Sequence, residues 1–196
     1  QHREVLADLL GSFERPTWNL TSERGLQASY YEGRNHDRRK LVFERVDPRI
    51  NFDFGLEGPD PERFEPQRFA IRWVGSILPF ETGEYEFIVR TAHSAKLTVN
   101  GGWSDPPLID AYVKGGNDTE YRGRIFLLAG RSYPLRLEFS KANQGVNNED
   151  REVPTNASIE LAWKPPHGVE ETVPEHCLLP LQSQPVYVAT TPFPPD

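Results

Sequence analysis

Between Arg90 and Glu120 the chain gathers Asn100, Asp105, Asp110, Lys114, Asn117, Asp118 and Glu120, with two aromatic residues, Trp103 and Tyr112, interleaved. An aromatic ring offers a flat apolar surface to the apolar face of a pyranose. Amides, carboxylates and an ammonium can take its hydroxyls, so this combination suits a sugar held without a metal. Each member also has an ordinary reading. Asp105 and Asp118, beside Pro106 and Thr119, suit turns, Tyr112 suits a half-buried strand position and Trp103 a cap on the core. On sequence alone both readings stay open.

Other constellations are weaker. Glu84 and Glu86 stand at i and i+2 on one strand face, whereas a glycosidase needs two carboxyls flanking a cleft, one of them in a pocket that raises its pKa. These two read as solvated. His176 and Cys177 are neighbours, and on a strand neighbours point to opposite faces, so Cys177 is expected to pack under the sheet as a small apolar group. The acidic run 147–152 lacks the spaced ligands and central Gly of a calcium loop and reads as a solvated loop. Arg38, Arg39 and Lys40 form a basic cluster too short to matter beyond a turn. No nucleophile with a base, no metal-ligand spacing and no phosphate-cradling Gly loop is present, so no enzymatic activity, no metal and no resident cofactor is expected.

The elements that must position the polar loops are strands. Tyr85, Phe87 and Val89 alternate with Glu84, Glu86 and Arg90, and the same period of two runs through Tyr133–Ser140 and Ala157–Lys164. Apolar residues on one face and charges on the other are the pattern of antiparallel strands with one buried face. Further strands are expected at 26–31, 41–46, 69–77, 95–100, 108–113 and 121–128, with turns at Thr82-Gly83, Asn100-Gly101-Gly102 and Ala129-Gly130. Pro134 belongs at an edge or a strand start, since it cannot donate to a ladder. The fold class is therefore all-β, an antiparallel β-sandwich or barrel. It has a lead-in at 1–24 with a short helix at 5–10, and a Pro-rich linker or surface arm at 181–196. Segments 55–67 and 141–155 read as irregular.

The chain has 196 residues and a net charge of −7, enough for one domain with a real core. Its cations are scattered among acids, which argues against nucleic acid or anionic lipid as partners, and no apolar run is long enough to span a bilayer. Neutral or hydroxyl-rich ligands fit better. Cys177 is the single cysteine, so an internal disulfide is excluded. The lack of Met and the Pro-rich end suit a piece of a longer protein.

Several ordered blocks carry a family signature: GLQASYYEG (25–33), VDPRINFDFG (46–55), FAIRWVGSILPFETGEYEFIVRT (69–91), KLTVNG (96–101), PLID (107–110), LLAGRSYPLRLEF (127–139), ASIELAWK (157–164) and VPEHCLLP (173–180). From Gly25 to Pro180 the sequence resembles the PA14 domain, named after the toxin component protective antigen. The resemblance implies a β-sandwich or barrel of glycosidases, adhesins and toxins, usually a carbohydrate-binding module. It would be secreted or periplasmic, with a polysaccharide or glycan and neighbouring domains of the same chain as partners. The stretches 121–146 and 190–196 further resemble versions of the domain in large secreted planctomycete proteins that carry c-type haem. No haem motif lies in this chain, so haem would belong to absent domains.

In sugar-binding members, two adjacent aspartates after the strand matching Glu84–Arg90 hold a calcium that bridges sugar hydroxyls. Here Thr91-Ala92-His93-Ser94 stands in that place. Ala92 has no ligand oxygen and His93 offers nitrogen to a cation that takes oxygen, so calcium is not expected at Ala92-His93. The ligand set is then His93, Asn100, Trp103, Asp105, Asp110, Tyr112, Lys114 and Asp118. The competing expectation is a structural spacer or intramolecular docking module that binds no sugar.

Overall fold

Alternation of apolar and polar residues becomes two antiparallel sheets laid face to face. The computed structural model describes residues 23–112, 118–141 and 155–186. The strands are β1 (Leu26–Glu32), β2 (Leu41–Asp47), β3 (Asn51–Gly55), β4 (Phe69–Ile77), β5 (Gly83–Arg90), β6 (Ser94–Val99), β7 (Ile109–Ala111), β8 (Glu120–Leu127), β9 (Tyr133–Ser140), β10 (Ala157–Lys164), β11 (Glu171–Thr172) and β12 (Leu178–Leu179). The larger sheet runs β2-β1-β4-β9-β6-β7, with β12 also on β4. The smaller runs β11-β10-β5-β8, with β3 also on β10.

Every long strand lies where the sequence places it, by the period of two in β5, β9 and β10 and by apolar runs between turn signals in the others. Not foreseen are β3, β11 and β12, which are short and pair only with the ends of β10 and β4; ladder geometry creates them, and a few residues carry no period to read. Pro134 is the second residue of β9, a strand start. Among the described residues the only helical pieces are single 3₁₀ turns at Arg38–Lys40 and Glu175–Cys177, and no helix is long and apolar enough to cross a membrane. The helix expected at 5–10 lies outside the described residues, as do 142–154 of the irregular loop and the arm from 187 onward.

The core fills the space between the sheets with Trp73, Tyr30, Phe69 and Phe139 from the larger sheet and Tyr85 and Phe87 from the smaller. One carboxylate is buried in it. Asp47 accepts hydrogen bonds from the Tyr30 hydroxyl (2.7 Å), the Trp73 indole (2.8 Å) and the Arg45 guanidinium (2.6 Å). Burial is tolerable because each lone pair turned inward meets a donor. Burial and the Asp47 charge together push the Tyr30 phenol well above its ordinary value, so it stays a donor.

Two close approaches bring the loops of interest into place. At Gly123 in β8 a Cβ would stand 2.8 Å from both the side chain and the carbonyl of Leu108, so only Gly lets the segment entering β7 lie across that strand. Asn100 ends β6 with φ +55°, a left-handed turn that Asn tolerates better than most residues.

Candidate functional site

The segment from Arg90 to Glu120 does not form one cluster. It feeds two separate surfaces: a groove at the end of the smaller sheet, and the outer face of the larger one.

The groove opens where β5 parts from β10. The Thr91 hydroxyl donates to the Ser158 carbonyl (2.7 Å), and the Thr91 amide to the Thr119 carbonyl (2.8 Å). These bonds lock the β5–β6 turn and leave a cavity of about 370 Å³ lined by Asn51, Asp53, Thr91, Ala92, Ser158 and the Arg90–Glu120–Glu160 ion group, among others. Ala92 is exposed there. Arg90 holds Glu120 (2.8 Å) and Glu160 (2.9 Å) and also bonds Glu170. Among the described residues no three His, Cys, Asp or Glu side chains are grouped to hold a metal ion. The groove presents an amide, a carboxylate and fixed backbone as hydrogen-bonding groups.

His93 follows Ala92 but turns inward. It is buried, its ring meets Phe139 edge-on, its Nε2 lies 2.9 Å from the Asn156 carbonyl, and its amide donates to Thr91 Oγ1. It fastens the turn to the entry of β10 and does not face the groove. Asn100 grips the backbone of Val186: its amide nitrogen donates to the Val186 carbonyl (2.9 Å) and its oxygen accepts from the Val186 amide (2.7 Å). Asp105 accepts from the Gly102 amide (2.7 Å), the turn role weighed for it from sequence. The Asp118 carbonyl accepts from the Tyr121 hydroxyl. Lys114 and Asn117 lie outside the described residues.

Trp103, Asp110 and Tyr112 do share a surface. On the outer face of the larger sheet, strand pairing aligns Ser29, Arg72, Glu138, Lys96 and Asp110 in one row across β1, β4, β9, β6 and β7. Arg72 donates to Glu138 (2.9 Å), Lys96 lies 3.8 Å from Asp110, and its ammonium is 5.2 Å from the Tyr112 ring centre. Trp103 does not cap the core. It is 62% exposed and lies with its ring centre 4.4 Å from the Arg136 guanidinium carbon and 5.2 Å from that of Arg72, within the range of cation–π attraction.

The sequence reading missed Asn51, Asp53 and Ser158 in the groove and Arg72 and Arg136 under Trp103. Arg136 was readable as an outward residue of β9, but nothing in the period reveals what covers it. Other minor candidates resolve simply. Glu86 is a surface carboxylate engaged in ion pairs: Arg124 and then Arg122 bond it and hold its carboxyl below the ordinary 4.5. Cys177 sits in a 3₁₀ turn and not on a strand. It is buried, and burial pushes its thiol up to about 11, far from a reactive thiolate.

With this geometry in hand, the sequence profile of the PA14 domain matches residues 22–176. The chain belongs to the PA14 domain family. This PA14 domain is similar to anti-sigma-I factor RsgI3 of Acetivibrio thermocellus, 30% identical over 156 residues. The match covers 80% of this chain and 21% of that protein, so the chain spans about a fifth of the length of this curated relative. Among solved structures it is similar to an anti-sigma factor domain-containing protein, with TM-score 0.68, 28% identity, and coverage of 89% of this chain and 50% of that one. It also shares its fold with the Epithelial Adhesin 6 A domain of Candida glabrata, solved in complex with Galb1-3GlcNAc. There the TM-score is 0.62 at 13% identity, covering 86% of this chain and 94% of that one.

Proposed function

We propose that this PA14 domain is a non-catalytic glycan-binding module of a larger secreted or periplasmic protein, working without the calcium site of its sugar-binding relatives. The carrying observation is the groove of about 370 Å³ at the Thr91–Ala92 turn, a size suited to one or two sugar rings. Its walls are held by hydrogen bonds made before any ligand arrives, which limits the ordering cost of binding. The adhesin fold seen with a bound disaccharide supports the same class of ligand. Ala92 takes the place of a carboxylate, so hydroxyls would be met by Asn51, Asp53 and Ser158 directly.

A second reading, an intramolecular docking module, draws support from the segment Leu181–Val186. Ser76 Oγ donates to the Leu181 carbonyl and Asn100 clasps Val186, so Leu181–Val186 is already docked along the domain. A glycan array followed by thermal shift separates the two. A ligand bound only by the native state at about 100 times its Kd raises stability by about 2.7 kcal/mol, and the shift is expected to persist in chelator. Asn51→Ala with Asp53→Ala is expected to remove it. If no glycan shifts the melting temperature at millimolar concentration, the docking reading stands instead.

A further inference from the structure

The outer face of the larger sheet contains a buried cation that has no ion pair among the described residues. Arg136 is 5% exposed. Its Nη2 makes one long hydrogen bond to Thr98 Oγ1 (3.3 Å), while its buried Nε and Nη1 have no acceptor among the described residues. Glu138, two residues along the same strand, is engaged by Arg72. Arg72 pairs with Glu138 and Lys96 with Asp110, while among the described residues Arg136 takes part in no ion pair, on a chain whose net charge is −7. His36, 3.9 Å from Glu138, adds no charge at neutral pH, because burial and then the Arg72 guanidinium lower its pKa below 6.5. Over the unanswered guanidinium lies an aromatic ring open to solvent, on a turn that contains Gly101 and Gly102.

A buried guanidinium with free N–H groups is unfavourable unless a partner of opposite charge completes it. The fork of Arg matches a carboxylate in geometry, bonding both of its oxygens. An exposed indole beside it is a stacking surface for a pyranose. We propose that this face binds a carboxylate-bearing sugar, a uronic acid residue of an acidic polysaccharide, with the pyranose on Trp103 and its carboxylate on Arg136. Rotation of the Trp103 side chain uncovers Nε and Nη1, and the indole restacks on the sugar. Arg72, beneath the same ring, adds the second positive charge. This site is separate from the groove, and its assignment rests on the reading that the module binds glycan.

The test compares cellotriose with cellotriouronate, in which each ring carries a carboxylate in place of the C6 hydroxymethyl group, by calorimetry and tryptophan fluorescence on the whole chain. The other tryptophans are Trp18, Trp73 and Trp163, and a blue shift seen in the parent and lost in Trp103→Ala is assigned to Trp103 by that difference. Cellotriouronate is expected to bind about tenfold more tightly than cellotriose, the scale of one charge-assisted hydrogen bond. Arg136→Met is expected to abolish that preference, and Arg136→Lys, which keeps charge without the fork, to restore part of it. Melting curves of each variant establish that it is folded. Equal affinity for the two trisaccharides, or uronate binding unchanged in Arg136→Met, overturns the proposal. Equally tight binding of hexaglutamate overturns its sugar part and leaves an acidic-peptide site. Should neutral glycans from the array bind and cellotriouronate not, this proposal fails alone; should no glycan bind, the glycan reading fails with it.

Discussion

The two outer faces of the sandwich use the same residue types to opposite ends. On the smaller sheet Arg90, Arg122 and Arg124 interlock with Glu86, Glu120, Glu160 and Glu170, each guanidinium bonded to at least one carboxylate. On the larger sheet Arg136 has no carboxylate partner among the described residues, and an aromatic ring covers it. A saturated network needs nothing from outside and serves the fold. An unsaturated cation under an exposed indole leaves bonding capacity for a ligand, so satisfaction of hydrogen bonds separates the two surfaces more sharply than composition does.

The widest separation comes from the buried limit of a saturated cluster. Asp47→Ala leaves the Tyr30 hydroxyl and Trp73 indole without an acceptor and Arg45 without its carboxylate. It is expected to lower unfolding free energy by about 3–4 kcal/mol in urea titrations. Arg136→Met should do the reverse, raising stability by about 1 kcal/mol because an uncompensated buried charge is replaced by an apolar chain of similar length. A loss of stability there would show that Arg136 belongs to the fold after all. Arg90→Met, in the half-exposed network, should lower stability by about 1 kcal/mol or less, and the difference should shrink in high salt.

Acid tests the same network without mutation. Hydrogen bonds from Arg124 and Arg122 lower the Glu86 pKa, and those from Arg90 and Arg122 lower that of Glu120. A carboxylate lowered in the folded state contributes stability that is present above the ordinary 4.5 and is lost as pH falls through the lowered value. Melting temperature should therefore decline below that pH, and less steeply in Arg122→Met than in the parent. Smallest of all, Trp103→Ala should leave stability within about 0.5 kcal/mol of the parent, since the ring is 62% exposed. A larger loss would make the indole a structural cover for Arg136 and weaken the contrast between the faces.

The amino-acid order alone determined the class of fold and the long strands, because a period of two survives as long as one face of each strand is buried. It also determined the family, through blocks such as KLTVNG and ASIELAWK, and the absence of a calcium-holding aspartate pair at Ala92-His93. It did not determine which members of the Arg90–Glu120 segment act together. His93 and Asn100 looked like ligand groups as residue types, but the fold turns one inward against Phe139 and engages the other with Val186. Only the tertiary structure brought Asn51, Asp53 and Ser158 to the Thr91–Ala92 turn, through pairing of β3 with β10, and laid Trp103 over arginines 31 and 33 positions away in sequence on either side. The physical reason is that local period reports which face a side chain takes, whereas its partners depend on ladders and loop crossings between distant segments.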